Sequence, residues 1–183
     1  MSVLASPDIP GVCHVYVDVT EGTRLAVSHL FQRDRRRIGL LLEDLEYTTN
    51  RRRREAFLQA HRELGLPVDE QRIYVGTKEW YYDRPEFEEQ ISGALDRLVD
   101  DGRIDALLAD DDYGAAVLMR GLSRRGVRVP EDVAVVGYGN HLISHFLNPE
   151  LTTIDIRVKE IVYTAVEMLT ETIHQPQSVR CGR

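Results

Sequence analysis

The chain reads Val129-Pro-Glu-Asp-Val-Ala-Val-Val-Gly-Tyr138 at the point that best predicts its fold class. Pro130 does not continue a helix or a central strand, because its ring fixes φ and it has no N–H. Four consecutive apolar residues, Val133 to Val136, then precede Gly137. A short apolar run between such breakers is typical of a strand buried on both faces, as in parallel sheets. We therefore expect a parallel strand whose carboxyl end leads into a polar loop, where ligands bind in open α/β sheets.

Apolar runs alternate with amphipathic segments along the rest of the chain. We expect strands in the segments 12–18, 35–42, 73–75, 104–109 and 133–137. We expect helices in the segments 21–31, 51–64, 85–100, 113–125 and 158–173, with a helical turn around 141–147. Strands that alternate with helices of this length predict an α/β fold, a parallel sheet with flanking helices.

The composition limits the classes of protein to which the chain can belong. Of 183 residues, 43% are hydrophobic and 29% charged, so a packed core is expected and disorder is not. The formal net charge is −7, whereas surfaces that bind nucleic acid are normally basic. No apolar run has the length of a membrane span, and the first residues lack a basic secretory region. Cys13 and Cys181 have no metal-ligand spacing. These features predict a cytoplasmic protein without a membrane partner.

Three ordered blocks of this sequence resemble the effector-binding domain of LacI/GalR-type transcriptional regulators. The segment 126–138 is similar to the family pattern GhxVPxDhxVhGhD, in which h is an apolar residue. The segment 107–116 resembles hhAxND-x-x-A-x-G, and the segment 149–154 resembles PxLTTh. Because three blocks in the right order are far more specific than one, the chain is identified as a member of this family. The resemblance implies a periplasmic-binding-protein-like fold of type I.

The resemblance also implies a division into lobes. By analogy, residues 37–154 form a complete carboxyl-terminal lobe and residues 1–36 form part of the amino-terminal lobe. Residues 155–175 return to that lobe, and residues 176–183 are a tail. No helix-turn-helix pattern precedes residue 12, so we expect a truncated regulator that reaches DNA only through a headpiece missing here. A partial lobe leaves apolar helix faces uncovered, which predicts a homodimer through Val158, Ile161, Val162, Ala165 and Leu169.

The run Arg51-Arg-Arg-Arg54 contains the first candidate ligand residue. A solvated basic face is the alternative interpretation of the run. Family members place a ligand-contacting arginine four residues before an aromatic or apolar residue, and counting back from Phe57 gives Arg53. Its planar guanidinium suits bidentate contacts with hydroxyls or a carboxylate. We therefore expect Arg53 to bind the ligand and the other three arginines to lie on the surface.

Further candidates follow from the family pattern at two strand ends. Asp110 stands where the family has a ligand-contacting Asn, and Asp111 keeps the position of the Asp that braces the loop. Gly139 stands where a family Asp commonly binds ligand hydroxyls, which implies a different effector or a decayed site. Asn140 is the candidate substitute, since its amide both donates and accepts. A metal held by the carboxylates at 110–112 is disfavoured, because adjacent carboxylates do not easily chelate one ion.

Two more residues complete the predicted site. Trp80, the only tryptophan, follows a strand, where relatives often carry an aromatic side chain that stacks on the ligand. A core position for Trp80 is equally compatible with the sequence. Glu21 faces the cleft in relatives, although an exposed acid that favours the dipole at a helix start is the simpler interpretation.

The sequence contains no nucleophile elbow, phosphate-binding loop, dinucleotide fingerprint or zinc-ligand spacing. We therefore expect no enzyme, no cofactor and no metal. The resemblance implies the effector-sensing and dimerisation region of a LacI-type regulator, which binds a small sugar-like molecule between lobes. The alternative is a solute-binding protein of a sugar transport system, which the missing secretory signal disfavours. Arg53, Asp110 and Asn140 are expected to converge at one edge of the sheet.

Overall fold

The computed structural model describes residues 2–3, 14–76, 85–100 and 103–174. In chain order the elements are β1 (Ser2–Val3), β2 (His14–Val15), α1 (Val19–Gln32), β3 (Ile38–Leu42), α2 (Thr48–Glu63), β4 (Ile73–Val75), α3 (Pro85–Leu95), β5 (Ala106–Ala109), α4 (Asp112–Arg124), β6 (Ala134–Tyr138), β7 (Thr152–Ile154) and α5 (Val158–His174). Short 3-10 helices lie at Glu70–Arg72 and Leu142–Phe146, and a π-helical segment lies at Asp96–Asp100. No helix of the described ranges has the length and apolarity needed to cross a membrane.

Contacts within the chain divide it into two units, residues 19–155 and residues 1–18 with 156–183. The larger unit begins with α1, which packs on α2 through buried residues such as Ala26 and Val27. The predicted boundary lies after residue 36, a few residues past the end of α1. The observed division lies before residue 19, at the start of α1. The lobe assignment of the four predicted segments stays a prediction.

The larger unit is built on a five-stranded sheet in the order β4-β3-β5-β6-β7. All four strand pairs are parallel, with Leu41 opposite Ala109 and Leu108 opposite Val136. The predicted parallel α/β fold is confirmed. β7 was not predicted, because its three residues are too few and too polar to stand out as a strand. It pairs with β6 and extends the sheet beyond the stretch 133–137.

Alternate residues of the central strands face two separate apolar layers. On one side Leu41, Leu107 and Val135 pack with α3 and α4. On the other side Leu40, Leu108 and Val136 pack with α1 and α2. Because successive side chains of a strand point to opposite faces, one unbroken apolar run supplies both layers. The sheet is therefore covered on both faces, and its carboxyl edge is where polar side chains gather.

Helix α2 begins earlier than its sequence pattern predicts. The predicted helix starts at residue 51, whereas Thr48 to Asn50 already form its first turn and Tyr47 occupies the N-cap without a side-chain hydrogen bond. Arg51 connects the helix to the preceding loop, because its Nη1 donates to the carbonyl oxygens of Leu45 and Glu46 at 2.6 and 2.7 Å. An arginine side chain thus stabilises the loop before the helix. The expected helix 85–100 instead ends at 95 and continues as a π-helical segment.

The smaller unit joins β1 and β2 in parallel and packs α5 on them. Ile161, Ala165 and Met168 of α5 form a small buried cluster with Val15. The prediction that Ile161 and Ala165 belong to an uncovered face is therefore wrong, since they are only 9% and 4% exposed. The helical period turns these two residues inward and leaves the residues between them outward.

Candidate functional site

Asp110 lies directly after β5, at the carboxyl edge of the sheet, and is only 6% exposed. Its Oδ2 accepts the backbone N–H of Glu43 at 2.6 Å. Because Glu43 follows β3, which pairs with β5, this bond ties the ends of two adjacent strands. Oδ1 of Asp110 is buried and has no hydrogen-bond partner within the described ranges. Asp110 thus holds the loop with one oxygen and keeps the other as an unsatisfied acceptor.

Arg53 reaches the same edge from the second turn of α2. Its guanidinium carbon lies 4.4 Å from the centroid of the Tyr138 ring, an arrangement typical of a cation–π contact. Its Nη1 donates to Oδ1 of Asn50 at 3.2 Å. Its Nε is buried without an acceptor in the part of the chain that the structure describes. Arg53 is therefore held by an aromatic ring and an amide and still has one donor to offer.

The pKa shifts at this edge show that the three groups act on one another. Burial raises the pKa of the Asp110 carboxyl, and the nearby positive charge of Arg53 partly opposes that rise. Burial also raises the pKa of Glu43 to about 7, with further contributions from Asp110, Asp111 and Asp44. Arg53 again acts in the lowering direction. The structure thus brings Arg53 and Asp110 to one edge and adds Glu43, which sequence reasoning missed.

The three consecutive aspartates have three different roles. Asp111 is the N-cap of α4, where its Oδ1 accepts the N–H of Gly114 at 2.6 Å. Asp112 is fully buried and accepts the N–H of His141 at 2.6 Å and the hydroxyl of Thr153 at 2.5 Å. Asp112 therefore joins the start of α4 to the loop after β6 and to β7. The prediction gave the bracing role to Asp111, but the residue that spans these elements is Asp112.

A signal for Asp112 was present in the sequence. Asp112, Ala115, Met119 and Leu122 follow helical spacing and are all buried. A carboxylate that continues an apolar stripe must face the sheet, where it needs buried donors.

The loop after β6 explains the glycine at position 139. Gly139 has a φ of 124°, which side chains rarely adopt, and a Cβ there would lie 2.6 Å from Cδ2 of the His141 ring. An Asp at this position would therefore have a strained backbone and would have to displace the exposed His141 ring. Asn140 has a positive φ of 53°, and its N–H donates to Oγ1 of Thr153 at 3.2 Å. Its side chain is exposed, and no contact in the described ranges joins it to Asp110 or Arg53. The expected convergence of Asn140 with these two residues is not seen.

Of the remaining predicted residues, Glu21 pairs with a neighbour on its own helix. Both carboxylate oxygens of Glu21 accept hydrogen bonds from Arg24, at 2.9 and 2.8 Å, on the exposed start of α1. The next residue, Gly22, does approach the site, because a Cβ there would collide with the Tyr138 hydroxyl. Trp80 lies outside the described residues. Its stacking role, like the ligand-binding role of the other predicted residues, stays a prediction.

Comparisons with known proteins identify the family of the chain. A family model described as "Periplasmic binding protein-like domain" matches residues 27–182. The repressor "HTH-type transcriptional repressor PurR" of Actinobacillus pleuropneumoniae is 33% identical over 165 residues, which cover 87% of this chain and 47% of that protein. The repressor of the same name from Aliivibrio salmonicida is 29% identical and is matched over 48% of its length. The chain thus spans about half the length of these curated relatives.

Solved structures agree with this assignment. A putative LacI-family regulator from Sanguibacter keddieii has a TM-score of 0.82 and 32% identity, over 98% of this chain and 65% of that one. A putative LacI regulator from Bacillus cereus subsp. cytotoxis has a TM-score of 0.83 over 97% of this chain and 61% of that one. At 20% identity the latter shows the fold alone. The protein therefore belongs to the periplasmic binding protein-like domain family, within which it represents the effector-binding domain of a LacI-type transcriptional regulator.

Proposed function

We propose that the carboxyl edge of the sheet binds a small, hydroxyl-rich, sugar-like effector and that the chain is the sensing region of a cytoplasmic transcriptional regulator. The observation that carries this proposal is a pair of buried atoms, Oδ1 of Asp110 and Nε of Arg53, that lack a hydrogen bond among the described residues. Buried polar groups in folded proteins are normally hydrogen-bonded, and those that are not call for an explanation. A bound ligand that accepts from Nε of Arg53 and donates to Oδ1 of Asp110 supplies both missing partners.

A sugar has the chemistry that these two groups require. Each hydroxyl donates one hydrogen bond and accepts others, so neighbouring hydroxyls can serve a carboxylate and a guanidinium at once. One solved relative, with 25% identity and a TM-score of 0.81, is described as a CelR–cellobiose complex. Another, a LacI-family sugar-binding regulator from Escherichia coli, is described as complexed with phosphate. Phosphate fits this edge poorly, because the carboxyl groups of Glu43, Asp110 and Asp111 repel an anion when they are ionised.

The regulatory consequence follows from thermodynamic linkage. An effector that binds one arrangement of the domain more tightly than another shifts the population toward it. A DNA-binding segment outside this sequence would report that shift, so the regulator would couple effector affinity to operator affinity. Enclosure of the effector between two lobes and assembly as a homodimer rest on the family resemblance and are part of the proposal.

Calorimetric titration of the full chain tests the proposed function. Cellobiose, D-glucose, D-ribose and inorganic phosphate serve as probes. We expect at least one sugar to bind and phosphate not to bind. Asp110→Asn should weaken the sugar about tenfold or more, since a hydrogen bond to a charged group contributes roughly 1.5–3 kcal/mol. The amide still accepts the Glu43 N–H but offers a donor where the free acceptor stood.

A matched pair of arginine variants provides the control. Arg53→Lys removes the planar fork at the site, whereas Arg54→Lys alters the adjacent residue, which pairs with Glu70 at 2.8 Å. We expect the first to weaken sugar binding and the second to leave it unchanged. Equal affinities for all three proteins, or phosphate binding that depends on Arg53 in the absence of sugar binding, would contradict the proposal.

A further inference from the structure

The carboxyl edge of the sheet carries more carboxyl groups than a neutral sugar needs. Glu43 and Asp44 follow β3, and Asp110 and Asp111 follow β5. Among the described residues, the positive charge of Arg53 lowers the pKa of both Glu43 and Asp110. Four carboxyl groups and one guanidinium thus meet where two parallel strands end.

Arg53 does not neutralise these carboxyl groups by direct pairing. Its guanidinium lies over the Tyr138 ring, and the hydrogen bond of its Nη1 goes to the Asn50 amide. Among the described residues no hydrogen bond of normal geometry reaches Oδ1 of Asp110, which is only 6% exposed. The backbone N–H groups of Asp110 and Asp111 lie near enough to lower the pKa of the carboxyl but do not offset its burial. A buried carboxylate oxygen without a donor or a cation is strongly unfavourable. A cationic donor from outside the described part of the chain would satisfy this oxygen in its ionised form.

A metal ion is not the group that this geometry favours. Among the described residues, no set of three or more His, Cys, Asp or Glu side chains is arranged to hold one. Asp111 and Asp112 are committed, the first as the cap of α4 and the second to His141 and Thr153. Asp110 is left with one free oxygen beside the half-buried Glu43. One oxygen with a second carboxyl group nearby suits a compact donor that carries its own charge.

We infer that the effector is an amino sugar, whose ammonium group lies on Oδ1 of Asp110 and next to Glu43. This inference rests on the proposed function and names the class of effector. An ammonium is compact, positively charged and offers three donors, whereas a hydroxyl offers one donor and no charge. Arg53 then binds the ring hydroxyls, so the two charged groups of the site recognise different parts of one molecule. Gly139 has no side chain to accept hydrogen bonds from sugar hydroxyls. Asp110 is then the main acceptor of the proposed site.

The titration behaviour of the site agrees with this geometry. The pKa values of Asp110, Asp111 and Glu43 are all raised, with burial as the first cause. The charged groups that act on Glu43 are Asp44, Asp110 and Asp111, which raise its pKa, and Arg53, which lowers it. A raised pKa means that burial disfavours the anion more than Arg53 and the nearby N–H groups favour it. A bound ammonium supplies a further favourable interaction and should therefore draw the groups toward their ionised forms.

The test uses sugars that differ only at one substituent. D-Glucosamine carries the ammonium, D-glucose carries a hydroxyl in its place, and N-acetyl-D-glucosamine carries a neutral amide. D-Galactosamine and D-galactose form a second pair. Each is titrated calorimetrically into the full chain at neutral pH. We expect the affinity for an amino sugar to exceed that for its neutral partners by about tenfold or more, because a charge-assisted hydrogen bond is stronger than a neutral one.

Variants of the site show which carboxyl group causes the preference for the amino sugar. Asp110→Asn should abolish the preference for the amine, and Glu43→Gln should reduce it. Asp132→Asn, an amide change at an exposed carboxylate paired with Arg128, should leave it unchanged. Circular dichroism establishes whether each variant is folded. If Asp110→Asn does not fold, Glu43→Gln serves as the readout.

The outcomes separate the two proposals. Equal binding of amino and neutral sugars, or tighter binding of the neutral sugars, overturns the amino-sugar inference and leaves the proposed function standing. An amine preference that survives Asp110→Asn, or Glu43→Gln where that is the readout, also overturns it. If none of these sugars and none of the earlier probes binds at millimolar concentration, the proposed function itself fails and the inference fails with it.

Discussion

The guanidinium of Arg53 lies over the ring of Tyr138, with 4.4 Å between the guanidinium carbon and the ring centroid. Arg53 comes from α2 and Tyr138 ends β6, so the contact bridges two elements that are distant in sequence. The ring holds the positive charge at the carboxyl edge of the sheet, and Asn50 accepts one of its hydrogen bonds. Arg53 is thereby placed near Asp110 and Glu43 without being hydrogen-bonded to either within the described structure.

Removal of this charge should be visible in the titration of Glu43. Arg53→Met keeps much of the side-chain length but removes the group that lowers the pKa of Glu43. We expect the pKa to rise above its present value of about 7. Carbon-13 NMR of the Glu43 carboxyl measures it directly. Arg54→Met is the matched control and should leave the pKa in place, and an unchanged midpoint in Arg53→Met would show that the two groups are not coupled.

Glu43 should make the domain less stable as the pH rises. The pKa of its carboxyl is about 7 in the folded chain, chiefly because of burial, against an ordinary value of 4.5. Between these two values the unfolded chain releases a proton that the folded chain retains, so the free energy of unfolding falls through this window. Glu43→Gln stays neutral and avoids this loss.

We therefore expect Glu43→Gln to be more stable than the parent protein at pH of about 8 and to have no such advantage at about 4. The difference should be about 1 kcal/mol, reduced from the full shift because the half-buried group is partly screened by solvent. Urea denaturation at the two pH values measures it. A stability difference that does not change with pH would contradict the assignment of the raised pKa.

Among the polar groups of this edge, the Asp112 carboxylate should contribute most to the free energy of unfolding. Asp112→Ala leaves the N–H of His141 and the hydroxyl of Thr153 without their buried acceptor. We expect a loss of roughly 2–4 kcal/mol in the free energy of unfolding. Asp132→Ala removes an exposed ion pair with Arg128 instead, and its effect on the free energy of unfolding should be clearly smaller. Chemical denaturation of both variants compares them, and equal losses would refute the bracing role.

Restoration of the family Asp at position 139 should not restore a sugar contact. Gly139→Asp places a side chain on a backbone with a φ of 124° and against the His141 ring. We expect a destabilisation of about 1–3 kcal/mol. His141→Ala in the same protein should recover the part that comes from the collision, while the backbone strain stays. A double-mutant cycle on the free energy of unfolding separates the two parts, and additivity of the two changes would rule out the collision.

The outer face of α5 should drive association. Val162, Tyr163, Val166, Leu169 and Ile173 are each at least 45% exposed. Large exposed apolar patches are typical of interaction sites, so sedimentation at micromolar concentration should show self-association. A Val162→Lys and Val166→Lys double variant should shift the protein toward monomer. Arg157→Lys, a change at an exposed ion pair with Glu160, should not. A clean monomer of the parent protein would exclude this interface.

The sequence by itself determined the fold class and most of the helices and strands. Apolar runs such as 133–136, bounded by Pro130 and Gly137, predict buried parallel strands because local breakers and side-chain period act within a few residues. The position of Arg53 and Asp110 at one edge also followed, since the carboxyl ends of parallel strands share that edge. These features depend on neighbours along the chain, which a sequence displays directly.

Only the tertiary structure decided which polar groups are satisfied. Asp110, Asp111 and Asp112 are chemically identical in the sequence, yet one keeps a free oxygen, one caps α4 and one binds His141 and Thr153. Asp112 lies 29 and 41 positions from these two partners, so its helical spacing predicts burial but no local pattern identifies the two donors. Their existence depends on how α4 docks against the sheet and on where β6 and β7 end. Hydrogen bonding and burial are properties of that packing, which is why the chemistry of this edge emerges only when the chain is folded.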